Sequence, residues 1–163
     1  MRHRHDAVAS PIMGRSGVPY LGCASDAGAR IVTRMAHRHD VMLVEDDGET
    51  RDALAAVLEA YGFQVREAVD GQDALDQLHA GYRPCAILLD LMMPRLDGWG
   101  FRDAQRVDPD LGRIPVALLT AAGNVRLQAR RLEVEAAFSK PADLDGVLTF
   151  IEGHCHAAGA PAR

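Results

Sequence analysis

Four apolar runs in this sequence each end in side chains suited to holding a cation and a phosphoryl group. Cys85-Ala86-Ile87-Leu88-Leu89 ends in Asp90, and Val41-Met42-Leu43-Val44 ends in Glu45-Asp46-Asp47. Ile114-Pro115-Val116-Ala117-Leu118-Leu119 ends in Thr120, and Ala136-Ala137-Phe138-Ser139 ends in Lys140-Pro141. An acid at the mouth of a core strand is costly unless water or a cation reaches it. Glu45, Asp46 and Asp90 together form an oxygen-rich set for a hard divalent ion. Magnesium is the natural filler, with manganese as the substitute of like preference. Asp46 and Asp90 are expected as direct ligands, Glu45 acts mainly through water, and the backbone carbonyl of Met92 supplies a further oxygen. Asp90 is then the candidate phosphoryl acceptor, because an oriented carboxylate is a competent nucleophile once charge is neutralised. Lys140 is expected to hold one phosphoryl oxygen and the Thr120 hydroxyl another.

Each residue also has an ordinary explanation. Asp47 and Glu49 suit the first turn of a helix, where acids complement the dipole. Thr120 alone reads as a turn or helix cap, and Lys140 alone as a surface lysine. Those explanations do not account for the four groups standing in order at strand ends. In an open parallel sheet the carboxyl ends of the strands share one ligand crevice, which brings such positions together.

The elements that must position them alternate from Asp40 onward. Strands are expected at Val41–Glu45, Phe63–Ala68, the run leading to Asp90, Pro115–Leu119 and Glu135–Ser139. Helices are expected at about Glu49–Tyr61, from Asp70-Gly71 to before Gly81, at Gly98–Val107, at Asn124–Leu132, and from Leu144 to about Gly153. Leu54, Val57, Leu58 and Tyr61 recur on one face of the first helix, and Ala74, Leu75 and Leu78 on one face of the second. Five such units with short connections predict an α/β fold, a doubly wound parallel sheet with helices on both faces.

The chain has 163 residues, which bounds it to one main domain. Residues 1–39 carry six Arg against Asp6 and Asp26, whereas residues 40–163 carry 12 basic and 21 acidic side chains, a net charge near −9. That surface argues against direct nucleic-acid binding, which needs clustered Lys and Arg. No stretch approaches the roughly 18 apolar residues of a membrane span, and no apolar segment follows Arg2 and Arg4 as in a secretory leader. Cys23, Cys85 and Cys155 are odd in number and far apart in sequence, a pattern expected of reduced thiols in the cytoplasm.

Residues 1–39, rich in Gly, Ala, Ser, Pro, Arg and His without periodicity, are read as a disordered basic arm, with Met35 as a possible alternative start. A metal role for His3, His5, His37 and His39 has no supporting spacing. Residues 40–155 form the domain, and 156–163 are read as a frayed tail. His154-Cys155-His156 is likewise read as a helix end, since adjacent residues there point in different directions. Trp99 is expected near the site or in ordinary packing at the start of the third helix.

The ordered set Val44-Glu45-Asp46-Asp47, Leu88-Leu89-Asp90-Leu91-Met92-Met93-Pro94 with Asp97-Gly98, Leu118-Leu119-Thr120-Ala121 and Ser139-Lys140-Pro141 resembles the receiver domains of two-component response regulators. The resemblance covers about residues 40–155. It implies a flavodoxin-like, three-layer α/β/α fold with five parallel strands in the order 2-1-3-4-5. It also implies that Asp90 takes a phosphoryl group from a histidine kinase or histidine phosphotransfer protein. Glu45 and Asp46 would bind magnesium with it, and Thr120 and Lys140 would read the phosphorylated state. The face formed by the fourth helix, fifth strand and fifth helix would change its affinity for a downstream protein. An output domain is not expected, and the resemblance then points to a stand-alone regulator that switches a partner or relays phosphate.

One position departs from that family. Receivers commonly carry an aromatic residue three positions before the lysine, and here that position is Ala137. Phe138 next to it falls on the opposite face by strand alternation. The stretch between Thr120 and Lys140 is short, which predicts a trimmed fourth helix. Three other functions compete. A magnesium-dependent phosphatase would want a second acid where Met92 stands. A flavin-phosphate module would want a Gly, Ser and Thr cradle where Glu45-Asp46-Asp47 stands. A scaffold that is never phosphorylated is consistent with Ala137 but leaves Asp90, Thr120 and Lys140 unexplained.

Overall fold

The computed structural model describes residues 39–121 and 123–155. The expectations for the arm up to residue 38 and for the tail from residue 156 lie outside them. The elements run β1 (Asp40–Val44), α1 (Gly48–Ala60), β2 (Gln64–Ala68), α2 (Gly71–His79), β3 (Ala86–Asp90), α3 (Gly98–Val107), β4 (Val116–Thr120), α4 (Val125–Leu132), β5 (Ala136–Ser139) and α5 (Leu144–Cys155). The five strands are parallel and lie in the order β2-β1-β3-β4-β5. This is the flavodoxin-like fold.

The three central strands, β1, β3 and β4, are apolar at nearly every position because both their faces are covered. Strand alternation then sorts their side chains into two cores. Val41, Leu43, Leu88, Ala117 and Leu119 pack with Leu58 of α1 and with Val147, Phe150 and Ile151 of α5. Met42, Val44, Ile87, Leu89 and Val116 pack with Leu75 and Leu78 of α2 and Phe101 of α3. Ile87, Leu88 and Leu89 are completely buried, and each such side chain is worth about 1.5–3 kcal/mol.

Helix starts are set by side-chain caps. Asp47 accepts the Thr50 N–H, Asp70 those of Gln72 and Asp73, Asp97 that of Gly100 and Asn124 that of Leu127. Gly62 and Gly81, both at positive φ, follow the ends of α1 and α2. At eight residues α4 is the shortest of the five described helices. A buried side chain holds its C-terminal end: Arg102 of α3 donates to the carbonyls of Leu132 and Glu133 and to Gln105 Oε1.

Two expectations are corrected at the end of the sheet away from Asp90. α5 continues through Cys155 rather than stopping near Gly153, and the His154 ring nitrogen Nδ1 lies 2.8 Å from the Phe150 carbonyl. Position 155 is therefore part of the packed helix rather than a frayed end. Cys85 and Cys155 are also not separate thiols: they are joined as a disulfide, with Cα atoms 5.1 Å apart. Sequence distance hid the pairing, because the start of β3 and the last turn of α5 meet only once the sheet is assembled. No described helix is long and apolar enough to cross a membrane.

Candidate functional site

The carboxyl ends of β1 and β3 bound the crevice where strand order reverses direction. β1 stops at Val44, so Glu45 and Asp46 occupy the turn before α1, and Asp90 is the last residue of β3. Glu45 is 2% exposed and Asp90 5%, while Asp46 is open to solvent. Carboxylate oxygens of these three residues all lie within 4.8 Å of one another. Among the described residues this is the only group of acids, histidines or cysteines so placed.

Such crowding of acids needs a cation, and Lys140 supplies one. Its Nζ lies 3.0 Å from Asp90 Oδ1 and 2.5 Å from Glu45 Oε2. Burial alone would pull the Lys140 ammonium pKa down, but the hydrogen bonds and charges of Glu45 and Asp90 outweigh it, and the pKa is raised. Burial raises the pKa of Glu45, and Lys140 offsets only part of that rise. The second oxygen of Asp90, Oδ2, accepts the Met92 N–H at 3.0 Å. Both carboxylate oxygens are thus oriented, one by an ammonium and one by the backbone.

Thr120 ends β4 at the same edge of the sheet. It is 1% exposed, it pairs in register with Ser139, and its carbonyl accepts the Lys140 N–H. The structure therefore brings Glu45, Asp46, Asp90 and Lys140 into one cluster and sets Thr120 beside it through the backbone. Met92 is 69% exposed in the loop after Asp90. The acidic run divides its work: Glu45 and Asp46 belong to the cluster, and Asp47 caps α1.

The Asp97-Gly98 pair is explained by close approach. The Gly98 N–H donates to the Leu91 carbonyl, and a Cβ at position 98 would stand 2.5 Å from the Asp90 carbonyl oxygen. Only glycine lets α3 start so near the loop that follows Asp90.

Two arginines that sequence reading did not single out fix the loops. Arg51 Nη1 donates to the carbonyls of Glu45 at 2.9 Å and Asp46 at 3.4 Å, and its Nε pairs with Glu67 at 2.9 Å. It is one turn into α1, the reach needed to hold the loop from which the helix springs, but nothing in its local sequence marks it. Arg95, at positive φ in the loop after β3, donates to the Asp70 carboxylate.

On the far side of β5, Phe138 packs into the core with Val147 and Phe150, while Ala137 joins Leu91, Leu118, Leu132, Val134 and Trp99. Trp99 is thus a packing residue between α3, α4 and β5.

A five-stranded 2-1-3-4-5 sheet with three acids at its switch point, reached by Lys140 from the end of β5, is a flavodoxin-like fold with an acidic crevice. The "Response regulator receiver domain" family model matches residues 41–152, and the chain belongs to that family. It is 35% identical over 114 residues to the response regulator Rre1 of Synechocystis, an alignment that covers 68% of this chain and 49% of the relative. It is 39% identical over 97 residues to the response regulator MprA of Mycolicibacterium vanbaalenii, covering 59% and 40%. The chain thus spans half or less of the length of these relatives. Among solved structures, the receiver domain of a signal transduction histidine kinase from Syntrophus aciditrophicus superposes with a TM-score of 0.67 at 27% identity, covering 76% of this chain and 95% of that one. The receiver domain of a sensor histidine kinase from Pseudomonas aeruginosa, which has a magnesium ion in its active-site cleft, shares the fold at a TM-score of 0.66 and 24% identity, covering 73% and 98%.

Proposed function

We propose that this chain is a cytoplasmic phosphoryl-accepting switch in a two-component pathway. Asp90 takes the phosphoryl group from a phosphohistidine of a histidine kinase or phosphotransfer protein. The observation that carries this reading is the double engagement of Asp90: Oδ1 on Lys140 and Oδ2 on the Met92 N–H. A carboxylate held this way is aimed, and Lys140 is placed to meet a phosphoryl oxygen. An Asp90 oxygen attacks phosphorus, a P–O bond forms as the donor's P–N bond breaks, and the imidazole leaves with the electron pair and takes up a proton.

The donor set of Glu45, Asp46 and Asp90 is all oxygen and carries three formal negative charges against one from Lys140, which fits magnesium or manganese. These carboxylates and the Met92 carbonyl would hold the ion, which would supply positive charge against the phosphoryl oxygens. Thr120 and Lys140 then respond to the new dianion, and the response reaches α4, β5 and α5. The output is altered binding of a partner protein or onward relay of the phosphoryl group. Direct nucleic-acid binding and membrane association form no part of this reading. Catalysis is confined to the chain's own phosphorylation and dephosphorylation.

The test is intact-mass spectrometry after incubation with acetyl phosphate, with and without magnesium, on the wild type and Asp90→Asn. A magnesium-dependent phosphoryl adduct on the wild type alone is expected. Equal labelling of both proteins removes Asp90 as the acceptor. No labelling of a folded wild type, under conditions that label another receiver, favours the unphosphorylated scaffold.

A further inference from the structure

We propose that Cys85 and Cys155 are a reversible, redox-sensitive pair whose oxidation fastens the last turn of α5 to the start of β3. The proposal rests on the cytoplasmic receiver reading above, since disulfides in that compartment are mostly transient or redox-sensing rather than permanent staples. The Cα separation of 5.1 Å lies inside the range of about 4.4–6.8 Å that a disulfide spans. Both cysteines are anchored. The Cys85 N–H donates to the Asp40 carbonyl at 2.8 Å, which fixes it beside the start of β1. Cys155 is 6% exposed and follows Phe150 and Ile151, whose side chains are part of the core.

The closed loop has a functional boundary. The bond links residues 70 apart, and the segment between them contains Asp90, Thr120 and Lys140 together with α3, β4, α4, β5 and α5. Oxidation therefore ties the end of the chain that follows the lysine to the strand that presents the acceptor. It does so at the opposite end of β3 from Asp90, where it leaves the phosphoryl site untouched. The element it immobilises is α5, which packs on β5 beside Phe138.

The oxidant named is a low-molecular-weight disulfide. Cys85, the less buried of the two, loses its proton and attacks one sulfur of that disulfide, giving a mixed disulfide and releasing one thiolate. Cys155 loses its proton and attacks the Cys85 sulfur, forming the intramolecular bond and releasing the second thiolate. The two thiolates take up the two protons. The cysteine pair is oxidised by two electrons and the small disulfide is reduced by two.

The test uses the full chain equilibrated in mixtures of reduced and oxidised glutathione, quenched with iodoacetamide and read by intact mass and peptide mapping. Of the three cysteines, only Cys23 is expected to be alkylated in the oxidised protein and all three in the reduced protein, with full interconversion in either direction. Amide hydrogen exchange in residues 144–155 is expected to be slower in the oxidised wild type and insensitive to glutathione in Cys85→Ser and Cys155→Ser. Three alkylated cysteines in the oxidising mixture overturn the proposal. So does a bond that reduced glutathione leaves closed in the folded wild type, or a stable glutathione adduct in place of the internal bond. These readouts need only the wild type, so a variant that fails to fold does not block them. Acetyl phosphate labelling runs in parallel: labelling without the disulfide sinks the redox pair alone, and a reversible disulfide without labelling sinks the receiver reading alone.

Discussion

Lys140 at the end of β5 holds Asp90 at the end of β3 through a 3.0 Å ion pair, across the intervening strand β4. The same ammonium bonds Glu45, so one cation balances two buried acids. Any divalent ion entering the cluster must share those carboxylates with it. Two positive groups on the same oxygens repel by a few kcal/mol at short range, even with partial screening.

The expected outcome for Lys140→Met follows from that competition. Magnesium binding, measured by titration calorimetry, should tighten by roughly tenfold. Labelling of Asp90 by acetyl phosphate at saturating magnesium should nevertheless slow by about 10–100-fold, because a charge aimed at the phosphoryl group is lost. Unchanged magnesium affinity would mean that Lys140 and the ion do not compete for the carboxylates.

Arg51 acts on the same cluster from behind. It touches the carbonyls of Glu45 and Asp46 rather than their carboxylates, so its effect is on where those side chains start. Arg51→Ala should weaken magnesium binding by about tenfold, the scale for losing an outer partner of a metal ligand. Titration of the variant next to Glu67→Gln separates the roles. If removing the Glu67 partner alone reproduces the effect, the Arg51–Glu67 pair rather than the backbone contact is responsible.

How much of this was legible in the sequence depends on distance along the chain. Strands buried on both faces announce themselves as apolar runs, and the acids, threonine and lysine that end them stand out because the local pattern breaks there. The alternation that places Ala137 and Phe138 on opposite faces of β5 is equally local. Arg95 and Arg102 are not legible, because their partners, a cap and two carbonyls, are brought near by topology, and Arg51 is not, because the carbonyls it holds a few residues back leave no side-chain signal. Arg102 is a sharp case: an arginine on a helix reads as exposed, yet it is 4% exposed and closes the end of α4. Its guanidinium pKa is lowered by burial. The Cys85–Cys155 bond fails to show for the same reason. Strand ends shift by a residue because hydrogen-bonded pairing, not apolar character, ends a strand: Thr120 lies inside β4 and Glu45 outside β1.

Gly98 gives a test of the loop after Asp90 that involves no charge. A methyl group at 98 meets the Asp90 carbonyl oxygen at 2.5 Å and the Leu91 Cα at 2.9 Å, both backbone atoms that cannot rotate away. Gly98→Ala should lower unfolding stability by about 1–3 kcal/mol in urea titrations. It should also slow Asp90 labelling, because the loop must shift to admit the methyl. Gly153→Ala, where nothing lies within 4 Å, is the matched control and should leave labelling unchanged. Equal behaviour of the two variants would show that the loop yields freely.

Asp70 predicts a pH dependence separate from the metal cluster. Burial would raise its pKa, but hydrogen bonds from the backbone of Asp73 and Gln72 and from Arg95 prevail, and the carboxyl pKa is lowered. A group with a depressed folded pKa binds its proton more readily in the unfolded chain. Its stabilisation is therefore complete above the unfolded value of about 3.9 and is lost as pH falls through the lower folded value. Chemical denaturation between pH 7 and pH 3 should show the wild type losing more stability than Asp70→Asn, which keeps an N-cap acceptor without the titration. At pH 7 Asp70→Ala should cost about 1 kcal/mol or more, since it removes the cap of α2 and leaves Arg95 without its carboxylate. Parallel stability curves for the wild type and Asp70→Asn across the acid range would show that the carboxylate's charge contributes nothing beyond its shape.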